Sequence, residues 1–275
     1  MLINRVIWIL AVCAFLYLLS LLLVYLLEDR FVFRPTGLSD THQFEFDHRH
    51  EERFWEAEDG TRIHSLFFPA QGVKKGIVLY FHGNADNLQR WGRYTVDFTS
   101  RGYDVWAVDY RGYGKSGGQV DEDWFYKDAY QMYQQCREEY EPQEIVLYGR
   151  SLGSAVATHL AAQVRARLLI LETPFDNIQS VFHAQMPVSF LPFRLKNQFP
   201  NDQFIQRVQY PICIVHGTAD DLVPLQSALQ LKPLLKSGDK FSIIEKGGHK
   251  NLRTFEEYQL LLDHWLGVDE FKDEG

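Results

Sequence analysis

The chain has 275 residues, with 28 basic against 36 acidic side chains, a net charge of -8, and 46% hydrophobic and 15% aromatic residues. That apolar content excludes a disordered body and fits one large domain with an appendage. The negative balance argues against nucleic acid as a partner, because such a surface repels a phosphate backbone.

From Val6 to Leu27 run 22 residues without a charge, and the run ends directly on Glu28, Asp29 and Arg30. At about 1.5 Å per residue it matches a bilayer core of about 30 Å. A cleaved signal peptide would have a shorter apolar core and a small-residue cleavage site. Residues 6–27 are therefore read as a retained membrane anchor and 28–43 as a linker. Arg5 and the α-amino group on one side are balanced by Arg30 and Arg34 on the other, so the side of the membrane that the domain faces stays open. Cys13, Cys136 and Cys213 show neither CxxC nor metal-ligand spacing, so no disulfide framework or metal site is expected. All three are read as buried apolar side chains.

The soluble part spans residues 44–270, with a first strand expected near Phe44. Arg53 to Pro69 reads as a hairpin turning at Glu58-Asp59-Gly60-Thr61. Short apolar runs follow at Gly76–Phe81, Asp104–Asp109, Glu144–Tyr148, Arg167–Leu171, Pro211–Val215 and Lys240–Ile244, most of them separated by helix-like stretches. Strands of this kind belong to a sheet covered on both faces. The expected fold is α/β, a mostly parallel doubly wound sheet with an antiparallel start. The connection 173–209 breaks the rhythm with six phenylalanines and four prolines, and it reads as a cap over a site.

After the strand EIVLY comes Gly149-Arg150-Ser151-Leu152-Gly153 and then a small-residue helix, SAVATHLAA. This is a nucleophile elbow in its strand-turn-helix context, and its tight turn needs glycine-sized residues two before and two after the serine. A serine hydroxyl needs a base, and the base needs an orienting carboxylate. In the fold expected here the chain order is serine, acid, histidine. His249, behind Gly247-Gly248 and past the last strand, is the base; His82 and His216 fall outside that place in the order. Asp220 is the acid, with Asp221 and Glu172 as alternatives. Oxyanion donors are expected from the backbone of Leu152 and of Asn84, with Ala85 as its neighbour. The stretch Asp109 to Gly118 lacks the spacing of a phosphate-binding loop, and no G-x-G-x-x-G follows the first parallel strand, so no cofactor is expected.

FHGNADN, DYRGYGKSGG, GRSLGS, LETPFDN, HGTADDLVP and GGHKNL together resemble the membrane-associated α/β-hydrolase-domain proteins and the serine aminopeptidase-like and bacterial inner-membrane hydrolase branches, and LLEDRFVFRP is similar too. The resemblance implies an α/β-hydrolase fold with Ser151 as nucleophile, Asp220 as acid, His249 as base and oxyanion donors at Asn84 and Leu152. It also brings thioester cleavage into view. Its depalmitoylating members carry a lipidated, cysteine-rich N-terminus where this chain has an apolar run. The leading reading is a membrane-anchored serine hydrolase of esters or thioesters that carry acyl chains. Peptidase action on short peptides is the alternative, and a silent binding module is a third.

Overall fold

The structure is a computed structural model that describes residues 2–185 and 194–268. A long helix α1 (Leu2–Val32) leads into an eight-stranded sheet. Its strands are β1 (Glu51–Glu56), β2 (Arg62–Phe68), β3 (Gly76–Phe81), β4 (Tyr103–Val108), β5 (Ile145–Arg150), β6 (Leu168–Glu172), β7 (Ile212–Gly217) and β8 (Lys240–Ile244). Across the sheet they lie in the order β8-β7-β6-β5-β3-β4-β2-β1, with β1 and β2 antiparallel and β3 to β8 parallel.

Strands β3 to β7 are buried along their whole length, which is why they read as unbroken apolar runs instead of alternating ones. Ile77, Leu79 and Phe81 point to one face with α2 (Glu122–Cys136) and α3 (Leu152–Ala161); Val78 and Tyr80 point to the other with α5 (Glu256–Trp265). Helix α2 starts where Asp121 caps it, its side chain accepting from the Trp124 N–H at 3.0 Å. The helix over the cap region, α4 (Ile178–Gln185), is half-buried. Phe190 and Phe193 lie outside the described residues.

Three expectations change. Phe44 to His50 form no strand, although aromatics and histidines alternate there: Phe44 stacks on His64 at 5.1 Å and Phe46 packs edge-on to Phe68 at 5.2 Å, so the rings cover the sheet instead of extending it. The stretch read as a linker is docked, since α1 continues to Val32 and Phe33 sits buried against Phe125 and Phe199 at 5.5 and 5.9 Å. Cys136 and Cys213 are buried as expected, whereas Cys13 is exposed on α1.

Candidate active site

Strand β5 ends in the turn to α3, and Ser151 occupies it with φ 53° and ψ -119°, a left-handed backbone that side chains rarely adopt. The crowding around the turn enforces it. A Cβ on Gly153 would stand 2.0 Å from the Phe81 carbonyl oxygen, and one on Gly149 would stand 2.3 Å from the Gly153 oxygen. Only glycine fits at either place, so the motif spacing is a packing requirement. The turn lifts Ser151 to the start of α3, where the N–H groups of the first turn have no partners within the helix.

The loops after β7 and β8 meet over this turn. His249 Nδ1 lies 2.8 Å from Asp220 Oδ2, and His249 Nε2 lies 3.1 Å from Ser151 Oγ. An ionised carboxylate only accepts, so the proton belongs on Nδ1, and Nε2 is left with a lone pair facing the serine hydroxyl. Asp220 is held in turn, because its Oδ1 accepts the N–H groups of Leu222 and Val223 at 3.0 and 2.8 Å. This arrangement can take a proton from Ser151 as its oxygen attacks a carbonyl and return it to a leaving group.

Glu172, the alternative acid, is turned elsewhere. Its carboxylate lies 3.2 Å from Arg150 Nε and accepts the hydroxyls of Tyr148 and Tyr258. Arg150 then donates to the His249 carbonyl at 2.8 Å, so this buried ion pair supports the loop that carries the imidazole. The other alternative, Asp221, is exposed. His216 is buried 3.8 Å from Asp220, and burial pulls its pKa down to about 4, which keeps the ring neutral.

Asn84 and Leu152 both line the cavity above Ser151. The Asn84 side chain is committed to the scaffold. Its Nδ2 donates to the Val32 carbonyl, and its Oδ1 accepts from the Arg34 N–H at 3.1 Å and the Tyr113 hydroxyl at 2.8 Å. What Asn84 can offer a substrate is therefore its backbone. Gly83 brings this loop against the elbow, for a Cβ there would touch the Ser151 Cβ at 3.6 Å. Asp109 anchors the same loop by accepting the Leu88 N–H at 3.0 Å and bonding His64 Nδ1 at 2.8 Å. Burial alone would raise the Asp109 pKa, but the histidine hydrogen bonds hold it below the ordinary range.

The cavity encloses about 330 Å³, within the range of small-molecule sites. One wall is apolar, built by Phe175 together with Ile178, Val181 and Phe182 around α4; Val32 and Arg34, at the end of α1, also line it. For those two, as for Lys250 and Arg150, the sequence alone signals no place in the cavity wall. Val32 and Ser151 are far apart along the chain, and nothing local marks the contact.

The fold agrees with the wider comparisons. An uncharacterized protein of Mycobacterium tuberculosis is 30% identical over 201 residues, 71% of each chain. The chain belongs to the α/β-hydrolase superfamily. A family model described as serine aminopeptidase, S33, matches residues 72–204 of this hydrolase. Alpha/beta hydrolase domain-containing protein 17B of Homo sapiens is 26% identical to it over 202 residues, covering 72% of this chain and 69% of that protein. Among solved structures, the Pyrococcus furiosus esterase Pf2001 superposes with a TM-score of 0.68 at 16% identity, covering 86% of this chain and 98% of the esterase. At that identity the match speaks for the fold alone.

Proposed function

We propose that this hydrolase is a membrane-anchored serine esterase or thioesterase that works through an acyl-Ser151 intermediate. The observation that carries the reading is the run of hydrogen bonds from Ser151 Oγ through His249 to Asp220. In the first half-reaction Ser151 Oγ attacks the acyl carbonyl while His249 Nε2 takes the hydroxyl proton, and Asp220 stabilises the resulting imidazolium. The backbone N–H groups of Asn84 and Leu152 receive the oxyanion. His249 then protonates the leaving oxygen or sulfur, the carbon–heteroatom bond breaks, and water attacks the acyl-serine by the same route in reverse.

The apolar wall around Phe182 supports an acyl chain over a polar group. Anchoring through residues 6–27 is supported by an exposed, apolar 28-residue stretch, Ile3–Arg30, within α1. Glu28, just past residues 6–27, is buried and accepts the N–H groups of Lys196 and Asn197 at 2.7 and 2.8 Å, so the end of α1 is docked on the domain. We assign 44–270 as the catalytic domain, with the cap inside 173–209.

A peptidase reading is favoured by the description of the matching family model. An aminopeptidase needs a carboxylate to hold a free amino terminus, and no Asp or Glu is among the described residues that line the cavity. Asp176 is occupied by Ser227 Oγ at 2.5 Å and by the Ser180 hydroxyl. Labelling with a fluorophosphonate probe tests the proposal: the natural chain should label and turn over p-nitrophenyl esters, and Ser151→Ala should do neither while remaining folded. Turnover retained by the alanine variant would refute it.

A further inference from the structure

The cavity over Ser151 is unlike the rest of the molecule in charge. The chain carries a net charge of -8, yet the described residues lining this cavity include four cations, Arg34, Arg90, Arg150 and Lys250, and no carboxylate. Two of the four are neutralised, Arg150 by Glu172 at 3.2 Å and Arg90 by Asp86 at 3.6 Å. Arg34 and Lys250 are exposed, and among the described residues neither has a carboxylate partner. Both reach the one cavity over Ser151, from separate segments of the chain. Lys250 follows His249 directly, and the Arg34 N–H is bonded to Asn84 on the oxyanion side.

Their placement assigns the charge to one part of the substrate. His249 Nε2 protonates the leaving atom, so the leaving group departs past the imidazole, where Lys250 is the next residue. The acyl chain takes the apolar wall around Phe182. Two cations on separate segments suit a group with a charge of about -2, as a phosphate monoester carries. We propose that this hydrolase is selective for single-chain acyl esters whose leaving group bears a phosphate a few bonds from the scissile oxygen, received by Lys250 and Arg34. This rests on the serine hydrolase reading and goes beyond it by naming the alcohol side. The products are a free fatty acid and a phosphorylated alcohol, with water supplying the oxygen and proton.

A matched pair of substrates tests it: 1-octanoyl-glycerol 3-phosphate and 1-octanoyl-glycerol, which differ only in the phosphate, with full-length protein in a neutral detergent. The ratio of kcat/KM, phosphate over neutral, should be about tenfold or more at low salt. It should fall at least threefold at about 0.5 M salt and approach one in the Lys250→Gln/Arg34→Gln double variant, because exposed ion pairs are individually weak and strongly screened. Reading a ratio cancels any general loss of activity in the variant. A natural-chain ratio near one, or a ratio untouched by the double variant, overturns the proposal. The same phosphate chemistry exists on bilayer headgroups, so activity on the neutral ester is also measured on phosphatidylglycerol and phosphatidylcholine vesicles. If the double variant changes only the preference for phosphatidylglycerol vesicles and not the substrate ratio, the cations read the membrane and the substrate assignment is wrong. Failure of the hydrolase reading would look different, with no fluorophosphonate labelling and no turnover of either ester.

Discussion

The carboxylate of Glu28, near the end of α1, is buried in the catalytic domain and accepts hydrogen bonds from the backbone of Lys196 and Asn197 and from the Asn197 side chain, at 2.7 to 3.0 Å. The apolar helix cannot swing freely from the domain: Val32, its last residue, and Arg34, two residues beyond, are tied to the loop of Asn84 through the hydrogen bonds of that side chain. Helix end and Asn84 loop are mechanically joined.

Glu28→Ala removes one acceptor from three donors. Leaving buried donors unsatisfied costs about 1–3 kcal/mol, and for a chain of this size each kcal/mol is worth about 2–4 °C. We expect the melting temperature in detergent to drop by several degrees, with Glu28→Gln losing less because its amide oxygen still accepts. An alanine variant as stable as the natural chain would show that the dock contributes nothing.

At the elbow the expected effect is larger. Gly153→Ala places a methyl 2.0 Å from the Phe81 carbonyl oxygen, a backbone atom at the end of the central strand β3 that has no room to yield. The turn must shift, moving Ser151 away from His249, so fluorophosphonate labelling should fall by at least 100-fold, in line with the cost of small misplacements in catalysis. The same substitution at Gly238, which has nothing within 4 Å but a φ of 96°, should cost modest stability and leave labelling intact.

How far these features were readable from the sequence depends on their range. The elbow is local, and its two glycines are demanded by contacts within one strand, one turn and one helix, so the motif carries its own geometry. The parallel strands are legible because burial on both faces removes polar residues from them. The meeting of Asp220 and His249 with Ser151 follows from chain order once the sheet is assumed. The docking of Glu28, the commitment of the Asn84 side chain to α1 and the Arg150 support beneath His249 are contacts between residues 50 to 169 apart, and no pattern near any of them announces a partner. The strand expected near Phe44 is absent because aromatic rings that cover a sheet and rings that belong to a strand leave the same trace in sequence.

Glu172 and Asp220 can be separated by the way their loss is felt. Asp220→Asn should keep the fold, since Leu222 and Val223 can still donate to its amide oxygen, but leave the imidazole in the wrong tautomer, with kcat down by about 10⁴ as in the serine-protease precedent. Glu172→Gln breaks a buried pair with Arg150, and removing one partner of such a pair typically costs about 3–5 kcal/mol. Its signature should be a lower melting temperature, with kcat retained within about tenfold in whatever fraction is folded. Thermal unfolding and titration of active sites with the probe, run on both variants, distinguish the two. Equal losses of kcat at equal stability would mean that Glu172 shares in the chemistry.

Acid should weaken the fold through His216. The ring is fully buried, and burial lowers its pKa from an ordinary 6.5 to about 4. Between those values the unfolded chain binds a proton that the native state refuses, so stability rises with pH from about 4 to 6.5 and this contribution is complete above that. Bringing the pH from 7 to 5 should therefore remove on the order of 2 kcal/mol, given about 1.4 kcal/mol per pH unit within the window. His159, also lowered to about 4 by burial and by Arg207, acts with the same sign. His216→Asn takes away the titrating group: it should melt lower than the natural chain at pH 7, where the packing of the ring is lost, and show a shallower decline between pH 7 and 5. Parallel declines in the two proteins would mean that other groups set the acid limit.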